Sequence, residues 1–202
     1  KNWFRVPETI KVMVNGNLPK GVYSKDIILH VIKEIGSNGA TYKSIEFYGN
    51  AVSSLSVEAR FTMTNMAVEM GAKIGIMEAD KKVLRWVSER SKREPQPAHA
   101  DPDAKYAMVK EYDVSKLSPQ AAKPHAVDNV ASVEELSEVK IDQAYLGTCT
   151  NGRLEDLEIA AGILKGNFVH PDVKFVIAPA SREIYLKALR KGLIEIFINS
   201  GS

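Results

Sequence analysis

Val139-Lys140-Ile141-Asp142-Gln143-Ala144-Tyr145-Leu146-Gly147-Thr148-Cys149-Thr150-Asn151-Gly152-Arg153-Leu154-Glu155-Asp156-Leu157 is the stretch on which the fold turns. Val139 to Leu146 reads as a strand, two glycines bracket a small polar loop, and a helix spans Arg153 to Lys165. Val173 to Ala178 repeats the strand, Arg182 to Lys191 repeats the helix, and Leu193 to Ile198 reads as a third strand. The strands are mostly continuous apolar runs, as expected when both faces of a sheet are covered. Strand and helix alternating at this spacing predict a parallel-sheet βαβαβ unit with right-handed crossovers.

The residues before it predict a more mixed α/β arrangement. Thr9 to Val14 approximates period-two alternation, and Asn15-Gly16 and Pro19-Lys20-Gly21 carry turn chemistry. Ser24 is placed to cap a helix whose apolar stripe is Ile27, Ile28, Val31, Ile32 and Ile35, closed by Gly36. Ser44 to Tyr48 is a strand, Ser56 to Met70 a helix stopped by Gly71, and Lys73 to Met77 a strand. Asp80 caps a third helix running to about Ser91. Glu94 to Asp103 holds three prolines, which remove amide donors and bias their predecessors away from helix. Tyr106 to Val114 returns to strand, and Ser115 to Ser137 shows no regular pattern. The expected organisation is therefore a mixed α/β domain over 1–93, a Pro-rich linker with one strand over 94–137, and the parallel unit over 138–202.

The 202 residues are 45% hydrophobic and 26% charged, near the globular average, which excludes wholesale disorder. Lys and Arg number 27 against 25 Asp and Glu, for a net charge of +2. That balance argues against a general nucleic-acid or membrane-surface binder. No apolar run approaches the roughly 20 residues of a membrane span. One cysteine excludes an internal disulfide and fits a reducing, cytoplasmic setting. Lys1-Asn2-Trp3-Phe4 runs almost directly into a strand, and the chain stops just after an apolar run. Both ends read as cut, predicting a piece of a longer polypeptide.

Cys149 leaves a strand and enters a helix, and ligands in open parallel sheets bind outside such carboxyl ends. Thr150 or Asn151 can cap that helix, with Glu155 and Asp156 in its first turn. Unpaired amides and the helix dipole would there stabilise a thiolate, the form required of a metal ligand or a nucleophile. A lone cysteine is otherwise most often a small buried hydrophobe. No second cysteine exists to complete a metal site.

Gly147 to Leu157 resembles the first cluster-cysteine motif of the aconitase superfamily, and is most similar to large subunits of the 3-isopropylmalate dehydratase and homoaconitase type. Trp3-Phe4-Arg5-Val6-Pro7-Glu8-Thr9 and Thr62 to Ala72 resemble two further segments of that family, in the same order. The resemblance implies a hydro-lyase that isomerises a hydroxy di- or tricarboxylic acid by dehydration and rehydration, on a 4Fe-4S cluster. It assigns Cys149 as a cluster ligand with Thr150 and Asn151 beside it. Asn65 and Glu69 would line the cluster pocket, Glu69 orienting a catalytic histidine; four-residue spacing puts the two on one helical face. Two further cysteine ligands, in a Cys-x-x-Cys, are expected outside this chain, as are a general base and the small-subunit swivelling domain. Two other readings are an inert scaffold or subunit-docking module, and a thiol-dependent enzyme with Cys149 as nucleophile.

Other features read as structural. Lys81, Lys82, Arg85, Arg90, Lys92 and Arg93 form a solvated helix face, with Val83, Leu84, Trp86 and Val87 as its packing stripe. His30 reads as a packed residue, and Ser181 as the cap of the helix that follows it.

Overall fold

A computed structural model describes residues 3–202. Lys1 and Asn2, read above as leading into the first strand, lie outside the described residues. The chain divides into two compact units, Lys1–Ser137 and Glu138–Ser202. The class is mixed α/β with parallel sheets, as expected.

The first unit is organised by a four-stranded parallel sheet in the order β3-β2-β1-β4. Its strands are β1 (Thr9–Asn15), β2 (Ser44–Tyr48), β3 (Ile74–Met77) and β4 (Met108–Asp113). The alternation of β1 is expressed directly: Ile10, Val12 and Val14 are fully buried while Lys11 and Met13 are only half-buried. Against the buried face lie α1 (Ser24–Ile35) and α3 (Val57–Met66). Ile27, Ile28, Val31 and Ile32 join Ile45, Phe47, Met63 and Met70 in one core.

Ser24 is the first helical residue of α1 and not its cap. Tyr23 holds the cap position, and the Asp26 carboxylate reaches back to accept from Tyr23 N at 2.7 Å. The other oxygen of Asp26 accepts from Gln120 N at 2.7 Å. Burial pushes the Asp26 carboxyl above its ordinary value, opposed by these two backbone bonds.

Segment 94–137, read from sequence as a linker, packs within the first unit. Its strand β4 lies in register beside β1, Ile10 opposite Met108 and Asn15 opposite Asp113. The part without a regular pattern holds β5 (Gln120–Ala122) and β6 (Val130–Ser132), a short antiparallel pair, then a 3-10 turn at Val133–Leu136. A short helix, α2 (Asn50–Ser54), also escaped the sequence pattern.

The helix expected over Ser56 to Met70 changes type. It is α-helical to Met66, then 3-10 over Ala67–Met70, and stops at Gly71 in the left-handed region, φ 81°. Helix α4 (Lys81–Ser88) begins where Asp80 caps it. Its basic residues Lys81, Lys82, Arg85 and Arg90 are exposed, as read, and two of them also make contacts within the protein. Lys82 Nζ donates to the carbonyls of Ser53, Ser54 and Leu55, and the Arg90 guanidinium lies 4.2 Å from the Trp86 ring centroid. His30 packs edge-on to Tyr112 at 5.4 Å, and burial lowers its pKa, favouring the neutral ring.

The second unit pairs β7 (Gln143–Leu146) in parallel with β8 (Lys174–Ile177). Helices α6 (Leu154–Leu164), α7 (Arg182–Arg190) and α8 (Leu193–Ser200) complete it. The expected third strand, Leu193 to Ile198, is helix α8. Its buried residues Leu193, Phe197 and Ser200 fall at helical spacing, while Ile198 is 66% exposed. A six-residue run of five apolar residues and one Glu carries no decisive period of its own, and the core contact decides it. Its core gathers Leu157, Ala161, Ala188, Leu193 and Phe197, with Leu146 and Ile177 of the sheet packed against them.

Candidate functional site

The carboxyl ends of β7 and β8 lie side by side, and their loops are stitched together. Ala178 N donates to Leu146 O at 2.8 Å, and Ala180 N donates to Gly152 O at 2.7 Å. This close approach explains both glycines. A Cβ on Gly147 would stand 2.6 Å from Ala178 O, and one on Gly152 would stand 2.9 Å from Ala180 N. Gly147→Ala is therefore expected to cost about 1–3 kcal/mol through overpacking against backbone. A urea titration that leaves the unfolding midpoint unchanged would contradict this packing.

Between the glycines, Thr148–Asn151 forms a single helical turn, α5. Thr148 opens it at φ 71°, a region that a β-branched residue enters only under strain. Its Oγ1 accepts from Thr150 N at 3.3 Å and lies 3.0 Å from Thr150 Oγ1, tying the turn to itself. Cys149 is the second residue of this turn and its side chain is exposed. Arg153 Nη2 donates to Cys149 O at 3.2 Å, fixing the backbone that carries the sulfur.

Neither Thr150 nor Asn151 caps α6, contrary to expectation. The cap position is Arg153, whose N donates to Asp156 Oδ2 at 3.0 Å. Cys149 therefore belongs to a separate turn upstream, outside the first turn of α6 where a helix dipole is felt. The sulfur is not buried in apolar packing, so the small-hydrophobe reading fails.

Asp156 is the residue that the sequence reading undervalued. Its second oxygen accepts from Asn151 Nδ2 at 3.0 Å, so one carboxylate starts α6 and orients the last residue of α5. That bond fixes the Asn151 amide, whose Oδ1 is buried without a hydrogen-bond partner among the described residues. An acid three residues past a helix cap was the available signal. Ser181 caps α7 as read, accepting from Ile184 N at 3.2 Å.

Cys149, Thr150 and Asn151 belong to the second unit, Asn65 and Glu69 to the first. Asn65 is the penultimate residue of α3 and Glu69 lies in the 3-10 turn beyond it, both exposed. The change of helix type between them overwinds the backbone, so the stacking expected of an unbroken α-helix does not apply. Among the described residues, no group of three or more His, Cys, Asp or Glu side chains is placed to hold a metal ion. None of their helices is long and apolar enough to cross a membrane.

A parallel α/β unit with a strained, glycine-bracketed turn at its carboxyl edge defines a protein of the open-sheet α/β class, with its candidate site at the strand ends. Residues 1–138 and 131–202 match the aconitase family (aconitate hydratase), and the chain belongs to that family. It is 50% identical over 205 residues to 3-isopropylmalate dehydratase large subunit 1 of Thermotoga maritima, covering 100% of this chain and 49% of the relative. It is 52% identical over 202 residues to large subunit 1 of Pyrococcus furiosus, covering 99% and 48%. A probable methanogen homoaconitase large subunit from Methanothermobacter thermautotrophicus is 51% identical over 202 residues, covering 100% and 47%. The chain thus spans about half the length of the curated relatives it matches.

Proposed function

We propose that these residues belong to the large subunit of an iron-sulfur hydro-lyase that dehydrates and rehydrates a hydroxy di- or tricarboxylic acid of the 3-isopropylmalate type. The observation that supports this best is the exposed Cys149 on a backbone turn held by Gly147, Arg153 and Asp156. The donor set fits one corner of a 4Fe-4S cluster: a single accessible thiol, with the other thiolates supplied from outside these 202 residues. When bound, the cluster would supply a Lewis acid for the substrate hydroxyl and a carboxylate.

The chain's own residues then have distinct tasks. Cys149 would hold iron through its thiolate, and the strained Thr148 and the Thr148–Thr150 contact tie down the turn that carries it. Asn151, fixed by Asp156, offers its buried Oδ1 as an acceptor beside the site. Glu69 orients a histidine supplied from elsewhere in the protein, and Asn65 donates a hydrogen bond near the cluster. A small subunit brings the swivelling domain, and the complete enzyme works in the cytoplasm. The relatives named as 3-isopropylmalate dehydratase and as homoaconitase stand at the same level of identity, so the proposal is made for the shared chemistry of their substrates.

The test is an anaerobic assay of the complete two-subunit enzyme with 3-isopropylmalate and with homocitrate-type acids. Loss of water creates a carbon-carbon double bond conjugated to carboxylate, read directly by ultraviolet absorbance. Turnover of at least one acid, together with iron and sulfide in the preparation, is the expected result. An iron-free preparation that turns over at full rate would point to the thiol-nucleophile reading. A preparation with neither iron nor turnover would leave the scaffold reading.

A further inference from the structure

Asn151 and Gly152 close the turn that carries Cys149. A glycine after an asparagine leaves its own amide nitrogen unhindered, and that nitrogen can attack the asparagine side-chain carbonyl. The Gly152 N–Cγ bond then forms a cyclic imide, and the Cγ–Nδ2 bond breaks. Ammonia leaves with the proton given up by Gly152 N, and water opens the ring to aspartate or isoaspartate. Packing requires the glycine, since a Cβ at 152 would stand 2.9 Å from Ala180 N. The turn thus contains the neighbour that makes Asn151 most labile.

The contacts around Asn151 oppose each part of this reaction. Asn151 N donates to Gly147 O at 3.2 Å and Gly152 O accepts from Ala180 N at 2.7 Å, so the backbone is tied on both sides of the bond that must rotate. Asn151 Nδ2 donates to Asp156 Oδ1 at 3.0 Å; a carboxylate only accepts, so this bond also fixes which way the amide faces. The opposite end, Oδ1, is buried without a hydrogen-bond partner among the described residues. It has no donor there to steady the negative charge that attack would place on it. Asn38-Gly39 provides the contrast within the same chain. Both residues are exposed, and Gly39 N donates to Gly36 O at 3.1 Å.

We infer that Asn151-Gly152 is a latent deamidation site and that Asp156 is the residue that holds it closed. Conversion of the amide to a carboxylate would set two like charges against each other where a hydrogen bond now stands. Isoaspartate would in addition lengthen the backbone of the turn. Only the consequence for activity rests on the function proposed above: the turn that presents Cys149 would lose its clamp to α6.

The test ages the complete enzyme in mildly alkaline buffer and follows, by mass spectrometry, the exchange of amide for acid in the peptides carrying Asn151 and Asn38. Asn151 is expected to convert on the order of tenfold more slowly in the native protein than in urea. Asp156→Ala is expected to raise the native rate at Asn151 on the order of tenfold and leave Asn38 unchanged. Ser181→Ala, which removes a helix cap in the same unit and no contact of Asn151, should leave the Asn151 rate as it was. If Asp156→Ala fails to fold, Asp156→Asn leaves one oxygen for two donors and should accelerate the same site less strongly. A native rate within about twofold of the rate in urea would overturn the proposal. So would an unchanged Asn151 rate in the Asp156 variants, or an equal acceleration in Ser181→Ala. Neither peptide signal depends on iron or turnover, so failure of the proposed function would leave this test intact.

Discussion

In the complete enzyme, Cys149→Ser is expected to lower hydro-lyase activity by at least about 100-fold and to reduce bound iron, with little change in thermal midpoint. The separation of effects follows from where the side chain sits. Cys149 is exposed on a single-turn helix, and its side chain belongs to neither core cluster. Exchanging sulfur for oxygen there removes no buried area, and surface changes of this kind stay within about 0.5 kcal/mol. What the substitution removes is a soft thiolate donor, for which a neutral hydroxyl is a poor replacement toward iron. Wild-type activity and iron content in the variant would refute the ligand role. A large fall in stability would mean that the sulfur is structural.

Asp80→Ala is expected to destabilise the first unit by about 3 kcal/mol. One carboxylate serves two elements. Its Oδ1 accepts from Lys82 N at 3.0 Å and Val83 N at 3.1 Å, starting α4, and its Oδ2 meets Arg60 Nη2 at 2.5 Å. The Arg60 side chain is only 5% exposed, so removing Asp80 leaves a buried guanidinium without its counter-charge, its Nη2 keeping the bond to Ser53 O. Breaking a buried pair costs about 3–5 kcal/mol, reduced here because Asp80 itself is 37% exposed, and the lost cap adds about 1 kcal/mol. Asp80→Asn keeps the capping oxygen and should cost less than half as much.

The pH dependence has a definite sign. The Arg60 bond holds the Asp80 carboxyl below its ordinary value of 3.8, so its contribution is complete above 3.8 and fades as pH falls through the lowered value. The gap between the urea midpoints of wild type and Asp80→Ala should therefore hold from pH 6 to about pH 4 and narrow as pH falls from there to 3. A gap that stays constant to pH 3 would show that charge is not the source.

The legible parts of the fold were those dictated by short-range chemistry. Asp80 and Ser181 precede helices and cap them, Gly71 ends one at positive φ, and the alternation of β1 is the alternation of its burial. What was not legible depends on distant partners. The prolines of 94–103 interrupt helix, but nothing local reveals that β4 returns to pair with β1 across some hundred residues. Leu193 to Ile198 contains only apolar residues and one Glu, so helix and strand are equally compatible until Phe197 finds the core. At the candidate site, the position of Cys149 at a strand exit was readable from its glycines. The roles of Asp156, Arg153 and Thr148 were not, because each depends on how one turn of helix sits before the next.

The ligand role of Cys149 is tested most directly by alkylating the complete enzyme with iodoacetamide, anaerobically, before and after iron is removed by chelation. The expected result is that Cys149 resists modification while the visible iron-sulfur absorbance persists and becomes reactive as that absorbance is lost. Equal labelling of Cys149 in both states, with the absorbance intact in the first, would contradict the account.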